Sequence, residues 1–459
     1  METLKCEEIV KATGGVLLSG DMDASFDSIS TDSRKIKQGD LFIPLIGEKF
    51  DGHQYIENSF KEGAKGCLTQ KNIEPLGDKI IIKVQDTSKA LRDLASYYRQ
   101  KFDIPFVGIT GSVGKTSTKE MVSSVLSKGF NVLKTQGNFN NEIGVPLTVF
   151  GLENSHQAAV VEMGMSGFGE ISRLTSIVKP DIAIITNIGL AHIEKLGSKI
   201  NILKAKMEIL EGLNSQGLVI LNGDDNLLYG LKGLLKFRTV FYGFEEGLDY
   251  QAYNVNSLGE QGSTFEITIG NREYKIRVPV PGIHNVYNAL AGLAAGIELG
   301  IPVGKIVEGI EEFTPEKMRL NIINHNGIKI INDAYNASPQ SMEAAINVLK
   351  DISGNKRTIA VLGDMLELGD MSYKAHFDVG KFAVARGVDY IAAVGENGRN
   401  IAHGAIDAGA EAYKVFQFKD NEEAGKFLKG FVKTDDVLLV KGSRGMKMEE
   451  IVNMLTTGA

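Results

Sequence analysis

The run Gly108-Ile-Thr-Gly-Ser-Val-Gly-Lys115-Thr116 sets glycines, a lysine and a hydroxyl where a chain could grip phosphate. It follows the apolar pair Phe106-Val107 and precedes a helix-like pattern from about Ser117. In such a strand–loop–helix, Gly111 and Gly114 let backbone N–H groups of the loop, Ser112 and Val113 included, approach an anion. The helix N-terminus adds positive potential. Lys115 can reach terminal phosphates, and Thr116 can put its hydroxyl on Mg²⁺. The general pattern G-x-x-x-x-G-K-[ST] would place glycine where this chain has Ile109, so the loop is a tighter form, Thr-Gly-x-x-Gly-Lys-Thr. A glycine-rich turn with a chance lysine is the competing reading. The strand before and the helix after both argue against it.

Three further side chains are candidates for a metal. Glu162 ends the apolar run Ala158-Ala-Val-Val, and open α/β sheets bind ligands at the carboxyl ends of their strands. A carboxylate there suits Mg²⁺, which shares oxygen ligands with nucleotide. His192 follows the strand-like Asp181–Asn187 by a short loop. It reads equally as a ligand, an acid–base group or a buried, satisfied histidine. Lys206 lies on a helical pattern, Ile200 to Leu213, whose apolar residues fall on an arc of roughly 180° to 340° with Lys206 near ~240°. An ammonium in the middle of an apolar face is costly unless paired. Such a lysine snorkels, pairs with a carboxylate, or turns into a neutral amine that can add CO₂ as a carbamate. Helical position alone favours the first two.

The elements around these residues predict an α/β protein in three domains. Residues 1–101 read as a small α/β domain, with a helical pattern over Thr3–Thr13, strands near Ile29, Leu41–Leu45 and Lys79–Val84, and a helix over Leu91–Lys101. Residues 102–313 carry the phosphate loop within a doubly wound, mostly parallel sheet, its strands near Phe106–Ile109, Ala158–Met163, Asp181–Asn187 and Leu218–Asn222. An antiparallel meander (Tyr250–Val255, Ser263–Ile269, Glu273–Val278) interrupts it before an alanine-rich helix over Asn285–Gly300. Residues 314–459 form a second open, Rossmann-like α/β domain with strands near Ile328–Asn332, Thr358–Leu362, Tyr390–Val394 and Val437–Val440.

The chain has 459 residues and a formal net charge of −7, with 43% hydrophobic and 23% charged residues, and it contains no basic block. These values fit an ordinary globular protein and do not indicate a nucleic-acid partner. Cys6 and Cys67 make neither a disulfide framework nor a zinc cluster, which suggests free thiols in a reducing compartment. The start is too polar for a signal peptide, and no apolar run is long enough to span a membrane. The expectation is a cytoplasmic protein, monomeric by default.

The phosphate loop, Glu162, His192 and Lys206 together resemble the Mur ligases, the ATP-dependent amide-forming enzymes of peptidoglycan synthesis. Other stretches in the same order carry the likeness across essentially the whole chain. They are Gly137-Asn138-Phe-Asn-Asn141 through Thr148, Glu162-Met-Gly164 with Gly169-Glu-Ile171, and Ile331-Asn-Asp333-Ala-Tyr-Asn336-Ala-Ser-Pro339. Val361–Gly369 and Lys441-Gly-Ser-Arg444 add to them. The Asp-Asn-Pro-Arg motif usual in diaminopimelate-adding members is not in the chain. The resemblance is to members acting at the last stage, and it implies UDP-N-acetylmuramoyl-tripeptide and D-Ala-D-Ala as substrates, with ATP and two Mg²⁺.

The likeness also implies residue roles. Thr31-Asp-Ser33-Arg34 and Gly47–His53 match the UDP-sugar domain, while Asn138 and Asn141 lie on the substrate side. Gly282-Ile-His-Asn285-Val-Tyr-Asn288 matches the segment that contacts adenine. Arg319 looks like the phosphate-contacting arginine at a domain junction, Asp333 like a ribose or hinge contact, and Asn336 faces the site. Thr116, Glu162, His192 and a carbamylated Lys206 would be the metal donors, and Lys115, His192 and Lys206 the groups at the reaction. A folylpolyglutamate synthase-like ligase is a rival, distinguished by the first hundred residues. A non-catalytic phosphate-loop module is another, and the intact Lys115, Thr116, Glu162, His192 and Lys206 speak against it.

Overall fold

The computed structural model describes residues 1–457. The chain divides into two compact units, one of residues 1–109, 130–183 and 207–217, the other of residues 110–129, 184–206 and 218–459.

The first unit contains a five-stranded sheet in the order Val16–Ser19, Ile80–Lys83, Gly66–Thr69, Leu41–Phe42, Ile29–Ser30. The first pair is antiparallel and the rest are parallel. Phe42, Ile56, Phe60, Ala64, Cys67 and Ile81 form a core beside it. Helix Thr87–Arg99 starts where the Asp86 carboxylate accepts the N–H groups of Ser88 and Lys89, at 2.7 and 3.0 Å. It buries Ala90, Leu91, Leu94, Ala95 and Tyr98, the spacing of one helix face. Farther along, strands Val132–Lys134, Ala158–Glu162 and Phe106–Thr110 pair in parallel, with Glu162 in register with Ile109.

The second unit contains strands Leu218–Asn222, Arg238–Gly243 and Tyr250–Ser257 in parallel, continued antiparallel by Ser263–Ile269 and Arg272–Val278. It also holds a six-stranded sheet in the order Asn321–His325, Ile328–Asn332, Val437–Lys441, Thr358–Gly363, Tyr390–Val394, Val415–Phe418. Only its first pair is antiparallel. Its inner strands Val437–Lys441, Thr358–Gly363 and Tyr390–Val394 are buried along nearly their whole length because both faces are covered. Val437 and Leu439 enter one core, Leu438 and Val440 the other, following the two-residue period of a strand. Both units are therefore α/β with mostly parallel sheets. No helix among the described residues is long and apolar enough to cross a membrane. Cys6 and Cys67 are buried free thiols.

The structure differs from the sequence expectation at several elements. The first helix begins at Cys6, because Leu4–Lys5 pairs as a strand with Ser25–Phe26 and buries Leu4. The helix expected over 200–213 is α-helical over Lys199–Met207 and tightens to 3₁₀ over Glu208–Glu211. There the Glu208 carboxylate accepts the N–H groups of Gly169 and Ser172, drawing the last turn toward the start of helix Glu170–Val178. Arg238–Gly243 joins the sheet beside the expected meander.

Leu439 is fully buried in the six-stranded sheet. Leu439→Ala is expected to cost about 2–5 kcal/mol of stability. Urea denaturation monitored on this unit checks it, and a loss below about 1 kcal/mol would contradict the packing described here.

Candidate functional site

The phosphate loop lies in the second unit between Thr110 and helix Lys115–Leu126. Gly111 has φ +152°, and a Cβ there would meet Thr186 Oγ1 at 1.9 Å; Gly114, at φ +85°, turns the chain into the helix. The loop is braced by a neighbouring strand end. Asn187 Oδ1 accepts the Val113 N–H at 2.9 Å, Asn187 Nδ2 donates to the Val113 carbonyl at 2.9 Å, and the Asn187 carbonyl accepts the Ser112 N–H at 3.0 Å. Thr186 Oγ1 also donates to the Val113 carbonyl. The N–H groups of Ser112 and Val113 are thus held by protein, and the first helical turn, whose N–H groups have no partner within a helix, is left to meet an anion. Thr110 Oγ1 and Ser112 Oγ are buried without a hydrogen-bond partner, as hydroxyls awaiting a ligand would be. Lys115 Nζ donates to the Gly111 carbonyl at 2.9 Å, folded across the loop.

A chain of contacts in the same unit gathers other expected residues. Arg319 Nη2 donates to Thr116 Oγ1 at 2.8 Å, and the guanidinium lies 4.1 Å from the Tyr335 ring centroid. Arg319 Nε is buried without a partner. Asp333 Oδ1 accepts the Leu320 N–H, and Lys441 bridges the Asp333 carboxylate to the Asn336 carbonyl. On helix Lys115–Leu126, Thr118 Oγ1 donates to Asn288 Oδ1 at 2.8 Å. Asn288 Nδ2 in turn donates to Asn285 Oδ1, and Asn285 Nδ2 to the Pro281 carbonyl.

Lys206 is 1% exposed, so its ammonium does not reach water. Burial, aided by the charge of Lys115, holds its amine well below the usual lysine range. The position and electrostatics fit a neutral amine. His192, with φ +62°, sets Nδ1 2.6 Å from Glu367 Oε2, off the direction of a hydrogen bond. Its imidazole holds the Glu367 carboxyl below the ordinary glutamate value.

The first unit contains the remaining expected residues. Glu162 is buried, with Oε1 accepting from Asn140 Nδ2 at 2.7 Å and Oε2 without a partner. A half-satisfied buried carboxylate is the donor that a divalent cation would complete. Asn141 Oδ1 caps helix Gly144–Phe150 by accepting the N–H groups of Ile143 and Gly144, while Asn138 is exposed. Arg34 is exposed and paired to Asp32, whose carboxyl it draws down to about 2, and Ser33 sits on the same 3₁₀ turn. Among the described residues no three His, Cys, Asp or Glu side chains gather as a metal group, and the expected donors include only two of these types. Sequence reasoning misses Asn187 and Asn140. Their signal, a carboxamide just after a strand or inside an asparagine-rich loop, does not say which partner it meets.

Three family profiles match the chain, described as the Mur ligase family catalytic domain over residues 25–99, the Mur ligase middle domain over 109–296 and the Mur ligase glutamate ligase domain over 318–444. The UDP-N-acetylmuramoyl-tripeptide–D-alanyl-D-alanine ligase of Bacillus subtilis (strain 168) is 41% identical over 93% of this chain and 92% of its own. The enzyme of that name from Escherichia coli (strain K12) is 35% identical over 96% of each. MurF from Acinetobacter baumannii superposes with a TM-score of 0.92 at 34% identity, covering 99% of both chains. The MurF ligase of Thermotoga maritima, solved with ADP, gives 0.83 at 27% identity, over 93% of this chain and 96% of that one. Matched by these profiles and relatives along nearly its whole length, the chain belongs to the Mur ligase family.

Proposed function

We propose that this ligase joins D-alanyl-D-alanine to UDP-N-acetylmuramoyl-tripeptide while ATP goes to ADP and phosphate. The observation that carries the reading is the braced phosphate loop, with Arg319 on Thr116 and a buried lysine near Lys115. Relatives named for that reaction supply the substrates. Residues 1–101 would bind the UDP-sugar, residues 102–313 ATP, and residues 314–459 would complete the nucleotide and dipeptide sites. The enzyme would act as a monomer in the cytoplasm, where ATP and reduced cysteines are found together.

A carboxylate and an amine do not condense unaided in water. The tripeptide carboxylate attacks the γ-phosphorus of ATP, the bond to the bridging oxygen breaks, and an acyl phosphate and ADP result. The dipeptide amine then attacks the acyl carbon, loses a proton and expels phosphate. Phosphoryl transfer asks the protein for positioning and charge neutralisation. Lys115, released from the Gly111 carbonyl, would neutralise the γ-phosphate, and the first turn of its helix would hold the phosphates. Gly111, Ser112, Val113 and Gly114 shape the loop, Asn285 and Asn288 would face the base, and Asp333 the ribose. Arg319 would add a second positive charge at the phosphates. Ser33, Arg34, Asn138, Asn141 and Asn336 would bind the other substrates, Asn141 by fixing the turn it caps.

Mg²⁺ would screen the meeting of carboxylate and triphosphate. Thr116, His192 and a carbamylated Lys206 would supply donors in one unit, and Glu162 a carboxylate in the other. The lowered basicity of the buried Lys206 amine and the unpartnered Glu162 Oε2 fit these roles.

Phosphate release is expected only when ATP, Mg²⁺, UDP-N-acetylmuramoyl-tripeptide and D-Ala-D-Ala are all present, with a product heavier by one dipeptide on mass spectrometry. Release that ignores the dipeptide would sink the reading. Lys206→Arg is expected to lower turnover about 10²-fold. Protein equilibrated with ¹³C-bicarbonate is expected to show a carbamate carbon signal that this variant lacks, and an identical spectrum from both proteins would refute the carbamate.

A further inference from the structure

One buried ion pair in the second unit has no part in the chemistry above. Lys119 lies on helix Lys115–Leu126, one turn beyond Lys115, and is 0% exposed. Its Nζ is 2.8 Å from Glu120 Oε1 and 3.0 Å from Glu316 Oε1. Full burial keeps Lys119 from touching a phosphate, and a cation so placed is tolerated only with its counter-charges in place. Burial and the neighbouring Glu120 push the Glu316 carboxyl up, while Lys119 pulls it down.

Glu316 belongs to the irregular segment between helix Val303–Glu311 and strand Asn321–His325. Three residues on stands Arg319, bonded to Thr116 on the same helix that carries Lys119. The residues on either side of Arg319 are both left-handed without being glycine, Met318 at φ +59° and Leu320 at φ +48°. Side chains with a Cβ hold such angles only where surrounding contacts impose them. Those contacts are visible on both sides: after Arg319, Asp333 accepts the Leu320 N–H, and before it the Met318 carbonyl accepts the Tyr335 N–H. Before Arg319, the side-chain tie to the phosphate-loop helix is Glu316 on Lys119.

We propose that Glu316, gripped by Lys119, is a positioning residue that sets Arg319 on Thr116 and so completes the phosphate-binding end of the helix. Two tethers three residues apart, Glu316 to Lys119 and Arg319 to Thr116, pin the same stretch to positions three apart on one helix face. Glu316 never touches nucleotide; it acts through Arg319. The inference rests on the proposed nucleotide role of Arg319, but the ordering of the segment can be read without it.

The test compares wild type with Glu316→Ala, Glu316→Gln, Arg319→Ala and the double alanine variant, all as the full chain. Two readouts are taken: calorimetric affinity for a non-hydrolysable ATP analogue with Mg²⁺, and amide hydrogen exchange of residues 317–321. Glu316→Ala and Arg319→Ala are each expected to weaken analogue binding about tenfold, and the double variant no further than the worse single one. Glu316→Ala is also expected to speed exchange at 317–321 with the melting temperature held within a few degrees. Glu316→Gln, which keeps the shape and a weaker bond to Lys119, falls between and serves if the alanine variant does not fold. Losses that add in the double variant, or exchange left at the wild-type rate, overturn the proposal. If wild type binds no analogue, the functional reading fails, and the exchange data alone then decide this one.

Discussion

The paired hydrogen bonds between the Asn187 carboxamide and the two polar groups of the Val113 peptide are the interaction on which the phosphate loop's form rests. The amide presents an acceptor to an N–H and a donor to a carbonyl, as a neighbouring strand would. Reversing it would lose both bonds, so its orientation is fixed. Each bond is worth about 1 kcal/mol net, and the Ser112 N–H bond to the Asn187 carbonyl adds another of the same kind. With these in place the loop holds its shape before any anion arrives. The close approach of Gly111 to Thr186 and the left-handed turn at Gly114 then follow from a shape already set.

Around this loop two buried lysines solve one problem in opposite ways. Lys119 closes on the carboxylates of Glu120 and Glu316. Lys206 has no carboxylate shaping its charge, only burial and the cation of Lys115, both of which disfavour its ammonium. Residue type is shared and helical context is similar, so the surroundings decide the state. One lysine ties a helix to a segment far along the chain; the other is buried where its ammonium is disfavoured.

Much of this was legible in the sequence because it is periodic or local. The strands Ile328–Asn332 and Tyr390–Val394 fall where expected, the second an unbroken apolar run buried on both faces and the first interrupted by the half-buried Lys329. Lys206 was visible as a break in an apolar arc, although the arc's last turn is 3₁₀ because Glu208 answers to residues near 170. The short strand Val132–Lys134 and the edge strand Asn321–His325 escape, as both are half-exposed and carry polar residues. The site's fastenings escape for a different reason. Asn187 meets Val113 across 74 positions and Glu316 meets Lys119 across 197, and no local pattern announces a partner at such separation. Asn141 is legible as a useful residue in an asparagine-rich loop, but that its side chain caps a helix while Asn140 holds Glu162 depends on how the loop folds.

Gly111 gives the loop a last property. The obstacle to any larger residue there is Thr186, a part of the protein itself, 1.9 Å from where the first side-chain carbon would stand. A descendant that abandoned nucleotide altogether would still have to keep this glycine to fold the strand end against the loop. Lys115 is half-buried, and its ammonium crosses to the Gly111 carbonyl, so no comparable clash fixes it. Among related chains, then, retention of the glycine testifies to architecture, and it is at the lysine that a silenced enzyme would first betray itself.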